Sequence, residues 1–234
     1  MKLAVIPARG GSKRIPRKNI RHFAGQPIIG YSIRAALRSG LFDQVIVSTD
    51  DAEIAEVARA LGASTPFTRP AALADDHTGT NSVVRHALEW HIQQGQQYTH
   101  ACCIYATAPF VHERYLHEGL RRLLDSGLEF AFSVTSFAFP VQRALTIAAD
   151  GTVVPMHPQF ASTRSQDLPE AFHDAGQFYW GRAESFIRDV PLYSPASVAL
   201  PLPRHLVQDI DTLEDWERAE YMYHALQLAG EVAG

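Results

Sequence analysis

Through the first half of the chain, short all-apolar runs alternate with longer stretches in which apolar residues recur every three or four positions. Leu3–Ile6 is apolar throughout and stops at Pro7, the pattern of a strand buried on both faces. Ile28, Ile29, Ile33, Ala36 and Leu37 then fall on one helical face, with Pro27 placed for a first turn and Gly40 for the stop. Val45-Ile46-Val47 predicts a second buried strand. Ile54, Val57, Ala58 and Leu61 predict a helix from about Ala52 to Leu61, and Val84, Ala87, Leu88 and Ile92 another from about Thr80 to Gln94. Ala101–Tyr105 predicts a third strand, Tyr115–Leu124 a helix and Phe130–Val134 a fourth strand.

This alternation predicts an α/β fold of three layers, a mostly parallel sheet between two sets of helices. Ligands of such sheets sit beyond the carboxyl ends of the strands, so the loops Arg9–Asn19, Ser48–Asp51 and Thr107–Pro109 are where chemistry is expected. The rhythm breaks between about 136 and 173. Pro140, Pro155 and Pro158 interrupt it, and Asp150-Gly151 marks a hairpin between Leu145-Thr146-Ile147 and Thr152-Val153-Val154. We expect an inserted β-arm there, serving an oligomer contact, within a single domain spanning 1–234. Phe178-Tyr179-Trp180 predicts a strand returning to the sheet. Leu206–Asp211 is strand-like, and a helix follows from about Thr212 to Leu228.

Composition adds limits. The 234 residues are 46% hydrophobic and 20% charged with a net charge of -4, which suits a globular protein and argues against a general nucleic-acid binder. No run approaches the roughly 18 apolar residues of a membrane span, and residues 1–8 are too short for a signal peptide. A cytoplasmic protein with no membrane partner is the expectation. Cys102 and Cys103 are adjacent in an apolar run and read as buried strand thiols.

Against the acidic balance, the loop after the first strand is strongly basic. Its order, Arg9-Gly10-Gly11-Ser12-Lys13, is not that of a P-loop, which closes on Gly-Lys-Ser/Thr. The two glycines allow close approach of a ligand and positive φ, successive N–H groups there can form an anion nest, and Arg9, Lys13 and Lys18 add mobile charge. A polyphosphate is the natural tenant. At the other end, Asp209 and Asp211 flank apolar Ile210, so in an extended segment both carboxylates share a face and suit a hard divalent cation. Asp211 also precedes Thr212-Leu213-Glu214-Asp215, where it would serve as a helix N-cap. Asp50 and Asp51 either face the cleft or begin the next helix. The 11 histidines show no i, i+4 zinc pair.

Ala8-Arg9-Gly10-Gly11-Ser12-Lys13 with Ile15-Pro16 and Lys18-Asn19 resembles the signature of the cytidylyltransferases that activate nonulosonic, sialic-type acids. The resemblance continues through Phe67-Thr68-Arg69-Pro70, Asp75-Asp76-His77-Thr78-Gly79-Thr80, Ala106-Thr107-Ala108-Pro109 and Asp209-Ile210-Asp211, and so covers most of the chain. It implies a Rossmann-like αβα domain of the nucleotide-diphospho-sugar transferase type and transfer of CMP from CTP to the C2 hydroxyl of an acidic nine-carbon sugar, releasing pyrophosphate. It also implies Mg²⁺ or another divalent cation on Asp209 and Asp211; the arm at about 136–173 leads us to expect a homodimer. The implied nucleotide contacts are Ala8, Arg9, Gly10, Gly11, Ser12, Lys13, Lys18, Asn19 and Arg69, with Thr78 and Thr80 on the base or ribose unless they cap the following helix. Arg9, Lys13, Lys18 and Asp211 carry the implied catalytic roles.

Two departures concern the sugar. Where relatives read Gln-Pro-Thr-Ser-Pro, this chain reads Tyr105-Ala106-Thr107-Ala108-Pro109, and where they read Asn-Gly-Ala it reads Asp174-Ala175-Gly176. With Pro140-Val141-Gln142-Arg143 and Ser165-Gln166-Asp167-Leu168-Pro169, these are most similar to the branch acting on pseudaminic acid. The expected sugar contacts are Tyr105, Thr107, Arg143, Gln177 and Phe178, Arg143 reaching the carboxylate from the arm unless it is a plain surface arginine. Another acidic sugar, a sugar-1-phosphate transfer, or nucleotide binding without turnover are the alternatives.

Overall fold

A computed structural model describes residues 1–75 and 78–231; Asp76 and His77 of the expected signature lie outside them. In chain order the elements are β1 (Lys2–Pro7), β2 (His22–Phe23), β3 (Gln26–Pro27), α1 (Ile29–Ser39), β4 (Gln44–Ser48), α2 (Ala52–Ala60), α3 (Thr80–Gln93), β5 (His100–Ile104), α4 (Glu113–Ser126), β6 (Phe130–Ser136), β7 (Leu145–Ile147), β8 (Val153–Pro155), β9 (Phe172–Arg182), α5 (Ala183–Ile187), β10 (Ser197–Pro201) and α6 (Leu213–Leu228). Six strands form one sheet in the order β10-β6-β9-β5-β1-β4. Its pairs are parallel except around β9, which runs antiparallel to both β5 and β6. The expected α/β layering is present.

Alternation along the strands divides the core. Ala4, Ile6, Val45, Val47, Cys102 and Ile104 face one layer of helices, while Leu3, Val5, Ile46, Ala101 and Cys103 face the layer that includes α3 and α5. Both cysteines are buried free thiols, and burial raises each of their pKa values. A third apolar cluster matters most for function. It joins Ile15 of the basic loop, Phe23, Ile28 and Tyr31 to Ile210, Trp216 and Tyr223 at the other end of the chain. Fully burying one isoleucine contributes about 1.5–3 kcal/mol, so Ile15 and Ile210 together hold the two ends of the site in register.

Several expectations change. Pro27 does not open α1; it pairs with His22 in a two-residue ladder, and the helix begins at Ile29. Ile92 is exposed, and His91 takes its inward position on α3. The strand at β9 is far longer than the three residues expected, and β10 was not anticipated. The Asp209–Asp211 segment is not a strand but a loop following a short 3-10 turn at Arg204–Leu206. The β-arm is present as the hairpin β7–β8, with Gly151 at φ +83° in its turn. Its apolar side chains are exposed, Ile147 by 78% and neighbouring Phe139 by 82%. Among the described residues, no helix is long and apolar enough to cross a membrane.

Candidate active site

Beyond the carboxyl ends of β1 and β5 lies a cavity of about 530 Å³. Four basic residues of the opening loop, Arg9, Lys13, Arg14 and Lys18, line it together with Ala8, Ser12 and Asn19. Arg69, Thr78 and Thr80 line the side reached from β4, Tyr105 and Thr107 the side reached from β5, and Asp211 closes the rim. Most of the residues expected at the site are thus brought together. Arg14 was missed, although it lies in the same basic loop; Asp75 and Val83 also line the cavity without having been singled out.

The loop is held from behind. The Gly10 N–H donates to Asp50 Oδ1 at 3.2 Å, and Ser12 N–H donates to the Gly10 carbonyl at 3.1 Å. These two N–H groups therefore serve the loop itself rather than an anion nest. Neither glycine adopts a positive φ. What Gly10 supplies is space, since a Cβ there would lie 2.5 Å from Asp51 Oδ2, whereas one on Gly11 would meet nothing within 4 Å. Asp51 begins the next helix, accepting from Ile54 N–H at 3.0 Å as the N-cap of α2. It also takes both arms of Arg17 at 2.5 and 3.1 Å. That hydrogen bonding from Arg17 holds the Asp51 carboxyl below its ordinary pKa. Arg17 itself sits in the left-handed region at φ +56°, immediately before the 3-10 turn that carries Lys18 and Asn19.

Lys18 Nζ donates to the Ile210 carbonyl at 2.6 Å and stands 3.5 Å from Asp211 Oδ1. Arg14 Nη2 approaches the same oxygen at 2.9 Å. Asn19 is buried and donates to the Arg9 carbonyl at 2.9 Å; Arg9 Nη1 donates to the Asp75 carbonyl at 2.6 Å. Arg69 is 4% exposed, donates to the Ala8 carbonyl at 3.0 Å and lies 3.7 Å from Asp50. Its Nε is buried without a partner, and burial lowers its pKa against the pull of Asp50.

The helix-cap readings are resolved. Thr212, not Asp211, caps α6 in a capping box with Asp215, so Asp211 is left to its cavity-side partners. Neither Thr78 nor Thr80 caps α3, whose N-cap is Gly79. Thr78 hydrogen-bonds Asp75 at 2.6 and 2.7 Å, and Thr80 Oγ1 meets the Tyr105 hydroxyl at 3.1 Å.

Asp209 keeps access to water, yet crowding by the surrounding chain pushes its carboxyl above the ordinary range, and the charge of Asp211 adds to the shift while Lys18 opposes it. Among the described residues no cluster of three or more His, Cys, Asp or Glu could hold a metal. The chain offers a pair of interacting carboxylates, a donor set that suits Mg²⁺ where phosphate and water complete the shell.

Three expected sugar contacts lie elsewhere in this chain. Phe178 is fully buried against Gly119 of α4. Gln177 is buried, and its Nε2 donates to the Leu206 carbonyl at 2.5 Å, tying β9 to the segment that leads to Asp209. Arg143 is exposed on the arm, 3.3 Å from Ser165 Oγ.

The layered sheet, the basic loop after its first strand and the Asp211 carboxylate on the cavity rim suit a nucleotidyltransferase. A profile described as cytidylyltransferase matches residues 3–200. The chain belongs to the cytidylyltransferase family. It is 45% identical over 221 residues to a pseudaminic acid cytidylyltransferase of Campylobacter jejuni, covering 94% of this chain and 95% of that one. It is 30% identical over 241 residues to the CMP-N,N'-diacetyllegionaminic acid synthase of Legionella pneumophila, covering 97% and 98%. Among solved structures, a CMP:2-keto-3-deoxy-manno-octonic acid synthetase complexed with CTP shares the fold, with a TM-score of 0.67 at 17% identity over 96% of this chain and 98% of that one.

Proposed function

We propose that the protein transfers CMP from CTP to the C2 hydroxyl of a nonulosonic acid, pseudaminic acid first among them, with release of pyrophosphate. The observation that carries this reading is the convergence of Arg9, Lys13, Arg14 and Lys18 with Asp211 in one cavity. Four cations match a triphosphate and leave the carboxylate edge for the reacting phosphate. In such a transfer the protein positions groups and neutralises charge rather than forming bonds itself. Arg9, Ser12 and Lys13 would receive the departing pyrophosphate. Lys18, anchored on the Ile210 carbonyl, would balance charge beside the α-phosphate, and its proximity to Asp211 sets both groups at the same point. Ala8, Asn19, Thr78 and Thr80 would hold the nucleoside, and Arg69 would lie near the triphosphate. Gly10 and Gly11 form the turn that presents these side chains.

Asp209 and Asp211 would hold Mg²⁺ or another divalent cation, which when bound polarises the α-phosphate and acidifies the attacking hydroxyl. Arg14 would then yield its contact with Asp211 and turn to phosphate. Tyr105 and Thr107 line the part of the cavity assigned to the sugar. The sugar's carboxylate would meet Arg143 supplied from the arm of a second copy, in a homodimer that covers the exposed apolar arm. We place this reaction in the cytoplasm.

The test is pyrophosphate release from the purified protein with CTP and Mg²⁺ against a panel of nonulosonic acids. Release with pseudaminic acid above the others is expected. Release only with another acid would move the specificity, and CTP binding without release for any acid would overturn the catalytic reading.

A further inference from the structure

Three side chains from distant parts of the chain hold the main chain around Arg9. The Ala8 carbonyl accepts from Arg69 Nη2 at 3.0 Å, the Arg9 carbonyl accepts from Asn19 Nδ2 at 2.9 Å, and the Gly10 N–H donates to Asp50 Oδ1 at 3.2 Å. Two of the three also meet each other, since Arg69 Nη2 lies 3.7 Å from the same Asp50 Oδ1. A closed ring results: Ala8 carbonyl, Arg69, Asp50, Gly10 N–H, with Arg9 as the residue it encloses. The end of β4 supplies its frame. Ala8 N–H donates to the Ser48 carbonyl at 3.0 Å and Arg69 N–H to the Thr49 carbonyl at 2.8 Å.

Arg9, Asn19 and Arg69 line the main cavity, and Asp50 does not. Asp50 lies behind the loop, where it lines a second cavity of about 320 Å³ with Asp51, Arg59 and Phe67. By charge alone, a carboxylate this near a polyphosphate site opposes binding. The ring supplies a reason for an acid there. Arg69 is 4% exposed and its Nε has no partner. A guanidinium so buried needs acceptors and a counter-charge, and at its Nη2 end it finds the Ala8 carbonyl and Asp50. One carboxylate oxygen thus faces both the loop amide and the buried cation.

We infer that Asp50 is a positioning residue for the triphosphate: from outside the cavity, its Oδ1 sets the Gly10 end of Arg9 and the Arg69 guanidinium together, so that both cations face the phosphates in a fixed relation. This rests on the reading that Arg9 and Arg69 meet the triphosphate. Asp50 itself does not touch the nucleotide.

The experiment uses Asp50→Asn, Asp50→Ala, Arg69→Met and the double variant Asp50→Asn/Arg69→Met. The readouts are dissociation constants for CTP, CMP and inorganic pyrophosphate, by calorimetry without the sugar. Asparagine keeps an acceptor for the Gly10 N–H and removes the charge that faces Arg69. Asp50→Asn is expected to weaken CTP and pyrophosphate about tenfold, and CMP, which lacks the outer phosphates, by less than about twofold. Asp50→Ala, which also releases the Gly10 N–H, should weaken CTP further. In the Arg69→Met background, Asp50→Asn should add no further loss. Unchanged or tighter CTP binding in Asp50→Asn would show the carboxylate acting by charge alone and overturn the inference. Equal losses for CMP and CTP, the mark of a loosened fold, would overturn it too, as would fully additive losses in the double variant. Should Asp50→Asn not fold, Asp50→Ser carries the comparison of CTP with CMP; should Arg69→Met not fold, that comparison decides by itself. Wild type that fails to bind CTP would remove the underlying reading as well, whereas tight wild-type binding with Asp50→Asn unaffected removes this inference alone.

Discussion

Lys18 and Asp211 are 193 residues apart in the chain and meet at 3.5 Å on the rim of the cavity. The contact is not made by charge alone. Ile15, just before Lys18, and Ile210, just before Asp211, are both fully buried in the apolar cluster under α6. Hydrophobic burial thus sets the spacing, and the charged ends of the two segments inherit it.

That division of labour separates function from stability at adjacent positions. Asp211→Ala should lower kcat by about a hundredfold or more with little change in melting temperature, because Asp211 does not cap α6. Thr212→Ala should cost about 1 kcal/mol of stability and leave most turnover. Steady-state rates and thermal denaturation of both variants decide the matter, and near-normal Mg²⁺-dependent activity in Asp211→Ala would remove Asp211 from the mechanism.

The glycine pair offers a second contrast. Gly10→Ala drives a Cβ to 2.5 Å from Asp51 Oδ2, and should destabilise the free protein by about 1–3 kcal/mol. Gly11→Ala meets nothing in the free protein. It should leave stability within about 0.5 kcal/mol while weakening CTP by about tenfold or more if phosphate packs against that open side. Calorimetric titration with CTP that shows unchanged affinity in Gly11→Ala would place the triphosphate elsewhere.

Acid should reveal the Arg17–Asp51 clamp. Arg17 holds the Asp51 carboxyl below its ordinary pKa, so the stabilisation is complete above an unfolded value of about 3.9 and is lost as pH falls through the lower folded value. Asp51→Asn keeps a capping side chain but removes the charge. It should be less stable than wild type at neutral pH, by no more than about 1 kcal/mol given the exposure of Arg17, and the two melting curves should converge as pH drops toward 3. Parallel curves would mean that the ion pair contributes nothing to the fold.

Light scattering tests the arm. Wild type should run as a dimer, and Ile147→Asp, which charges an exposed apolar position on β7, should shift it toward monomer with loss of sugar turnover and retention of CTP binding. A monomeric wild type across working concentrations would free the arm from that role.

Much of this was legible in the residues. The buried strands β1, β4 and β5 announce themselves as apolar runs, α1 closes on a left-handed Gly40, and the basic loop sits where an α/β sheet places ligands. The failures have local causes. The resemblance placed Gln177 and Phe178 on the sugar, but Phe178 pairs with Ile104 inside the sheet and Gln177 is spent on the Leu206 carbonyl, and nothing in the apolar pattern marks the bulge in β9 beside them. The edge strand β10 buries only Leu200 deeply, too little to stand out among Pro191, Pro195, Pro201 and Pro203. Arg14 was hidden by its company, one cation among several whose direction depends on the buried Ile15 beside it. For Asp211 the sequence left a cap open beside the metal role, because its neighbours suit a helix start, and only the hydrogen bonds show that Thr212 takes the cap.

The dependence of the opening loop on α6 also has a consequence for synthesis. The loop around Lys18 leaves the ribosome well before the Ile210 carbonyl that anchors it, which lies 192 residues further along. A nascent chain carrying the whole basic sequence but not the last helix lacks the floor on which that loop rests. Nucleotide affinity should therefore switch on late and abruptly during translation, and stalled chains ending before about residue 205 should ignore CTP.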